Sequence, residues 1–83
     1  MDVDENLLLK YKNKEIELSR DDYVLLFIVN TLKKRYSFTD EVLKNFLTKD
    51  IDEINNLYNK HERLKLTPRE YEKLKKYIEK YLK

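Results

Sequence analysis

The sequence predicts an α+β fold that is mostly α, in which an N-terminal β-hairpin is followed by four helices (ββαααα) in one compact domain spanning residues 1–83. The absence of glycine and the single proline among 83 residues favour helices joined by short capped turns over a series of hairpins. Serine, threonine or aspartate also stands before four helical stretches, where an N-cap residue is expected. Residues 1–6 are expected to form a flexible, solvated tail, which includes the carboxylates of Asp2, Asp4 and Glu5.

The pairing pattern of residues 7–18 predicts the β-hairpin, with Asn13 and Lys14 as a two-residue loop. In that register apolar pairs share one face and opposite charges share the other, and each pair would stabilise the hairpin by about 0.2–1 kcal/mol. Lys14 is the weak point, because the second loop position of such a turn favours glycine. The predicted pairs are Lys12 with Glu15, Tyr11 with Ile16, Lys10 with Glu17, and Leu9 with Leu18.

A helix over residues 20–36 is predicted from its cap and its terminal charges. Ser19 followed by Asp22 resembles a capping box, and the cations Lys33, Lys34 and Arg35 fall where the negative end of the helix dipole favours them. The run 23–29 is apolar on every side, which predicts a helix covered by neighbours all round, with Leu26 and Phe27, or their immediate neighbours in the run, nearly fully buried. The β-branched residues in the run leave a central strand as the alternative.

Three further helices are predicted over residues 40–48, 51–63 and 68–82. Thr39, Asp50 and Thr67 are the expected N-caps, and Thr67 is followed by Pro68 at the first helical position and by Glu70 three residues later. The last helix places its apolar side chains on one arc and its cations on the opposite side. The apolar arc comprises Tyr71, Leu74, Tyr77, Ile78, Tyr81 and Leu82.

The composition restricts the compartment and the chemistry. Lysine and arginine number 18 against 16 aspartate and glutamate residues, and there is no cysteine for a disulfide or a thiolate metal site. No apolar run is long enough to span a bilayer, and the acidic N-terminus is unlike a signal peptide. We therefore expect a soluble cytoplasmic protein with no membrane partner.

Neither a catalytic nor a metal-binding group of residues can be assembled from the sequence. His61 is the only histidine, and no nucleophile and orienting carboxylate can be placed beside it. Asp50, Asp52 and Glu53 lack the ligand spacing and the glycine of a calcium loop, and two of them are accounted for by helix capping. Glycine-rich phosphate loops are excluded by composition. We expect no enzyme activity, no cofactor and no metal.

The predicted helices at 40–48 and 51–63 could also be a helix-turn-helix, with the second helix as the recognition helix. The N-terminal residues of a recognition helix lie near bases and phosphates. Here those residues are Asp50, Asp52 and Glu53, which phosphates would repel. The sequence therefore argues against DNA binding through this helix.

The cationic side of the last predicted helix is the best candidate for a functional surface. Residues 63–83 contain 8 basic and 3 acidic side chains, and a row of cations on one helix suits an acidic protein groove or a phosphate backbone. The alternative is a solvated face on which Glu72 pairs with Lys76 and Glu79 with Lys83. The predicted partner-binding residues are Arg69, Lys73, Lys76, Tyr77, Lys80, Tyr81 and Lys83, with the two tyrosines partly exposed at the rim.

In size and layout the chain is similar to small accessory proteins of phages and mobile elements, which have fewer than 100 residues and a hairpin with helices. Many of them bind and block a host protein, including CRISPR nucleases. The resemblance implies a non-enzymatic protein-binding module, a regulator or inhibitor of a host protein such as a defence nuclease (anti-CRISPR-like), in the host cell cytoplasm if the protein is phage-encoded. The row of cations on the last predicted helix implies an acidic surface on its protein partner. The alternative is a nucleic-acid-binding accessory protein that uses the basic face of the last helix. The sequence leaves the oligomeric state open.

Overall fold

The computed structural model describes residues 2–62 and 65–83, and of residues 58–62 it describes the backbone alone. All regular structure in these ranges is helical. The helices are α1 (Val3–Lys12), α2 (Arg20–Tyr36), α3 (Asp40–Lys44), α4 (Ile51–Glu62) and α5 (Pro68–Tyr77), with a 3₁₀ turn at Asn45–Thr48 after α3 and a π-helical turn at Ile78–Leu82 after α5.

The predicted β-hairpin at residues 7–18 is wrong, because α1 begins within the predicted tail and occupies the first half of this segment, and residues 13–18 form no strand. Leucine and lysine are good helix formers, and the acidic first turn and basic last turn of α1 suit the helix dipole. The helical spacing of Val3, Leu7 and Leu8 lets them pack together on the core. A lone hairpin would lack such support, since two isolated strands are marginally stable in water.

The turn predicted at Asn13 and Lys14 exists, but it ends a helix instead of joining two strands. Lys14 adopts φ 60°, its N–H donates to the Tyr11 carbonyl at 3.1 Å, and the Glu15 N–H donates to the Lys10 carbonyl at 2.8 Å. This pair of bonds is the Schellman arrangement of a helix C-terminus. The strain expected at Lys14 is therefore present, for a different structural purpose.

The four predicted N-caps are confirmed by their hydrogen bonds. Ser19 Oγ accepts from the Asp22 N–H at 3.1 Å, and three other caps do the same at their own helices. Thr67 makes the complete capping box, since its own N–H donates to Glu70 Oε1 at 3.0 Å. The other caps and the N–H groups they accept from are Thr39 with Val42, Asp50 with Glu53, and Thr67 with Glu70.

Residues 23–29 lie within α2, but the prediction that neighbours cover this run on every side is wrong. Leu26 is fully buried as expected, whereas Phe27 is 56% exposed and Val24 is 42% exposed. The reason is that α1 contacts α2 through Tyr23, and α5 packs on another side of α2, where Lys80 of the π-helical turn pairs with Asp22. The outward side of α2 stays open. The run supplies the core from one face only.

The core is one cluster to which each helix from α2 to α5 contributes, and α1 adds half-buried side chains at its edge. The described residues span 40 × 19 × 19 Å. None of the helices in the described part of the chain combines the length and apolar character that spanning a bilayer requires. The buried apolar residues are Leu25, Leu26, Val29, Leu32, Tyr36, Phe38, Leu43, Phe46, Ile54, Leu66, Leu74, Tyr77 and Ile78.

Candidate functional site

The structure leaves six of the seven predicted partner-binding residues exposed or half-buried, and it buries the seventh. Arg69, Lys76, Lys80 and Lys83 are exposed, and Lys73 and Tyr81 are half-buried. Tyr77 has no exposed surface, so the expectation that it lies at a partly exposed rim is wrong. Its ring faces the core and its hydroxyl group reaches a buried ionic cluster described below, which leaves Tyr77 unable to contact a partner directly.

Three of the predicted cations line an open groove between the start of α2 and α5. The groove has a volume of about 670 Å³ and an apolar part formed by Val24 and Leu25. Arg69 and Lys83 do not line it. The charged side chains around it are Arg20, Asp21, Asp22, Lys73, Lys76, Glu79 and Lys80.

One cation of the groove is already paired within the protein. The Lys80 ammonium donates to Asp22 Oδ1, and this hydrogen bond lowers the pKa of Asp22 and raises that of Lys80. The sequence could not reveal the pair, because 58 residues separate its members. Lys73 and Lys76 are thus the α5 cations of this groove for which the described residues show no ion pair.

The outward side of α2 carries an exposed stripe that includes Val24 and Phe27, two residues of the run that the sequence predicted to be covered on every side. Its five positions follow the spacing i, i+4, i+7, i+11 and i+14, which places them along one side of a helix. The middle holds the apolar side chains of Val24 and Phe27 and the hydroxyl group of Thr31, which donates to the Phe27 carbonyl at 2.9 Å, and a cation stands at each end. We call this set the α2 stripe, and it consists of Arg20, Val24, Phe27, Thr31 and Lys34, all exposed.

Aromatic side chains extend the apolar middle of the α2 stripe sideways onto α1. The ring centroids of Tyr23 and Phe27 are 6.3 Å apart, and those of Tyr11 and Tyr23 are 5.2 Å apart. All three rings are more than one third exposed. Stacked rings that remain in contact with water form a contiguous apolar surface, which we call the aromatic ridge.

A second unpredicted feature is a buried ionic cluster centred on Lys33. Its ammonium group lies 2.8 Å from Asp2 Oδ2 and 2.6 Å from Asp40 Oδ1, and it also donates to Asp4 Oδ1. Lys33 is 4% exposed and Asp4 is fully buried. The expectation of a solvated acidic tail is therefore wrong, and Lys33 is unavailable to phosphates.

Hydrogen bonds complete the cluster and join α1, α2, α3 and α5. Tyr77 donates to Asp40 Oδ1 at 3.1 Å and its oxygen accepts from the Asp4 N–H at 3.1 Å. Asn30 donates to Asp4 Oδ2 at 2.7 Å, and the Val3 N–H donates to Asp40 Oδ2 at 2.8 Å. Every buried side-chain nitrogen and oxygen in the described ranges has a hydrogen-bond partner. The cluster therefore meets the usual condition for burying charge.

The pKa directions in the cluster favour one fixed ionisation pattern. Burial lowers the pKa of Lys33, but its hydrogen bonds to three carboxylates outweigh burial and raise it. Burial and the nearby charges of Asp4 and Asp40 raise the pKa of Tyr77. An amine and a phenol with raised pKa values keep their protons at neutral pH, so neither is prepared to act as a nucleophile or base.

The three carboxylates of the cluster also have the spacing of a possible cation site. Ligand oxygens from Asp2, Asp4 and Asp40 lie within 4.8 Å of one another. The Lys33 ammonium group, however, contacts all three and occupies the space that a metal ion would need. The arrangement fits a structural ion-pair network with the ammonium as its cation.

The acidic residues that the sequence analysis considered at the start of α4 belong neither to the α2 stripe nor to the ionic cluster. Asp50 caps α4 through the Glu53 N–H at 2.8 Å, and the side chains of Asp52 and Glu53 are exposed. The side chain of His61 lies outside the described part of the structure.

We found no family model, curated protein or solved structure that matches this chain.

Proposed function

We propose that the protein is a non-enzymatic protein-binding module that contacts its partner through the α2 stripe and the aromatic ridge. The observation that carries the proposal is the exposure of Phe27, 56%, in the middle of an otherwise apolar run. Exposed, contiguous apolar patches with a polar rim are typical of protein-binding sites. Tyrosine is also among the residues enriched in interface hot spots.

The resemblance to phage accessory proteins now supports this proposal less than the surface does. That resemblance depended on small size and on a hairpin followed by helices, and α1 replaces the hairpin. Small size is what remains of it. A regulatory or inhibitory role accordingly stays a proposal, in which binding through the α2 stripe and the aromatic ridge covers a surface of the partner.

Nucleic acid binding through α5 is the alternative, and the groove charges favour it less. Asp21, Asp22 and Glu79 line the same groove as the α5 cations, and Lys80 is held by Asp22. With four cations and three carboxylates the groove has a net charge of only +1, whereas a phosphate backbone presents negative charge along its whole length. If nucleic acid is nevertheless the partner, affinity should fall steeply with salt, whereas a partner bound through the aromatic ridge should respond mildly.

A test of the proposed function compares three forms of the purified chain as bait in lysate of the source cells. The ridge variant carries Tyr23→Ser and Phe27→Ser. The control variant carries Leu57→Ser, because Leu57 is also apolar and 56% exposed but lies on α4. We expect a protein retained by the wild type and the control and lost from the ridge variant, with all three forms showing the same helical circular dichroism.

The retained protein is then titrated in purified form against each bait. A loss of affinity of at least about tenfold for the ridge variant would support the proposal, since central aromatic side chains dominate interface energies. Equal affinity of the ridge variant and the wild type would refute it. Equal loss in the ridge and Leu57→Ser variants would also count against it, because the effect would then not be specific to this surface.

A further inference from the structure

We propose that the α2 stripe binds an acidic amphipathic helix presented by another protein. The inference rests on the proposed function and names the chemistry of its partner. Three observations carry it: the spacing of the stripe, the distribution of charge around its apolar middle, and the poor match of the stripe with a second copy of itself.

The shape of the surface suits a helix lying along α2. From Arg20 to Lys34 the stripe extends about 21 Å at 1.5 Å per residue, the length of about four helical turns. Val24 belongs both to the stripe and to the groove beside it, so apolar side chains of a partner can pack against Phe27 and enter the groove together. Such helix-in-groove recognition uses apolar anchors at i, i+3 or i+4, and i+7.

The charges around the apolar middle favour carboxylates on the partner. Arg20 and Lys34 stand at the two ends of the stripe, and Lys73 and Lys76 stand on the groove wall formed by α5. The groove also contains carboxylates that would repel an acidic partner. Asp22 is paired with Lys80, which leaves Asp21 and Glu79. A partner with acidic flanks would be attracted by four cations and repelled by two carboxylates. A basic partner would be repelled by the four cations and attracted by only the two carboxylates.

A second copy of the chain fits the stripe poorly. An antiparallel pairing with Phe27 on the two-fold axis would place Arg20 of one copy opposite Lys34 of the other. A parallel pairing would place each of these cations opposite itself. Like charges facing each other across an interface oppose association. The ends of the stripe therefore favour a different protein, one with carboxylates at these positions.

The test uses two synthetic capped helical peptides of about four turns, with leucine at i, i+4, i+7 and i+11. One peptide has glutamate and alanine elsewhere, and its matched control has lysine in place of each glutamate. Each is titrated into the ¹⁵N-labelled full chain. We expect the acidic peptide to shift the amide signals of Val24, Phe27 and Thr31 and to bind at least about fivefold more tightly than the lysine peptide.

Two variants measure how much the apolar middle of the stripe and the cations of the groove contribute to binding of the acidic peptide. Phe27→Ala should weaken binding of the acidic peptide at least about fivefold, and Lys73→Gln with Lys76→Gln should weaken it at least about threefold. Leu57→Ser should leave it unchanged. Equal binding of the two peptides would overturn the inference, as would signal shifts confined to a surface away from α2.

The other possible occupants give different results. A single-stranded oligonucleotide that shifts the stripe signals when the acidic peptide does not would overturn the inference in favour of nucleic acid. A dimer in sedimentation equilibrium that Phe27→Ala converts to monomer would overturn it in favour of self-association. If the lysate partner depends on the aromatic ridge but the acidic peptide does not bind, the proposed function stands and this inference fails.

Discussion

At the scale of single residues, Lys33 is the side chain with the greatest consequence for the fold. Removing a charged group from water costs several kcal/mol, and only close partners with good geometry offset that cost. Lys33 has three carboxylate partners, and the Tyr77 ring lies 5.7 Å from its ammonium group. The cluster therefore favours the observed docking of α1, because Asp4 buried elsewhere in the core would lack the cation that it has here.

We predict that Lys33→Met destabilises the protein by about 3–5 kcal/mol, because it leaves Asp4 buried without its cation. Urea denaturation followed by circular dichroism measures the change. Lys34→Met is the matched control, since Lys34 is exposed, and it should shift the free energy of unfolding by less than about 0.5 kcal/mol.

A second variant keeps the prediction testable if Lys33→Met is mostly unfolded. Asp4→Leu combined with Lys33→Met removes both buried charges and should recover part of the lost stability, because apolar replacements of buried ion pairs are often tolerated. A Lys33→Met protein as stable as the Lys34→Met control would contradict the burial of this cluster.

At the scale of elements, α2 has a buried face and an outward face. The adjacent residues Leu26 and Phe27 lie on different faces, Leu26 on the buried one and Phe27 on the outward one. Leu26→Ala should cost about 2–5 kcal/mol, because it leaves a cavity where Leu26 is fully enclosed. Phe27→Ala should cost less than about 1 kcal/mol, because most of its ring faces water. Thermal and urea melts of the two variants decide the matter. Equal losses would show that Phe27 is covered within the monomer.

The helix ends suggest a stabilising change in a chain that contains no glycine. Ser37 adopts φ 58° at the end of α2, where the Phe38 N–H donates to the Lys33 carbonyl at 2.9 Å. A left-handed conformation costs a residue with a Cβ atom about 1–2 kcal/mol, and glycine avoids that cost. Ser37→Gly should therefore raise the free energy of unfolding by about 0.5–1 kcal/mol, as measured by urea melts.

Lys14→Gly tests the same effect at the end of α1, where Lys14 adopts φ 60°. Its matched control is Lys10→Gly, which places glycine inside α1 and should lower stability by about 0.5–1 kcal/mol. If Ser37→Gly and Lys14→Gly both lowered the free energy of unfolding, Ser37 and Lys14 would not be left-handed in solution.

At the scale of the whole molecule, the ionic cluster joins four elements, so its ionisation should set the pH range of the fold. Burial raises the pKa of Asp40, but hydrogen bonds from Lys33 and the Val3 N–H outweigh it and hold the pKa below 3.8. A carboxyl group with a lowered folded-state pKa stabilises the protein above its unfolded value. That contribution is lost as pH falls below about 4.

The alkaline side has the opposite sign, because the folded-state pKa values of Lys33 and Tyr77 are raised from 10.5 and 10.0. Stability from these groups is complete at neutral pH and is lost as pH rises above about 10. Urea melts across pH should thus show a plateau that falls at both ends. Tyr77→Phe should weaken the alkaline decline, and Tyr11→Phe, which alters an exposed tyrosine, should leave it unchanged.

Patterns within a few residues of sequence predicted much of the helical layout. The caps at Ser19, Thr39 and Thr67 are local hydrogen bonds between residues three apart, so they can be recognised without knowledge of the fold. Reasoning from local patterns gave a wrong prediction for the segment 7–18. Its alternating apolar and charged residues fit two strands as well as one helix, and packing on α2 selects the helix.

The candidate site was predicted less well, because its features depend on contacts between distant residues. Helical spacing identified the cations of the last predicted helix, but it did not identify the pairing of Lys80 with Asp22. Phe27 was placed in the core because a fully apolar run usually has neighbours on every side. Nothing within the run itself indicates that one side of α2 stays open.

The sequence by itself determined where the last four helices begin, because a cap acts through its own backbone within one turn. The tertiary structure decided the conformation of α1, the side of α2 that stays open, and the burial of Asp4 with Lys33. These outcomes depend on which helices pack together and on the free energy of burying charge, and both depend on residues as far apart as Asp4 and Tyr77.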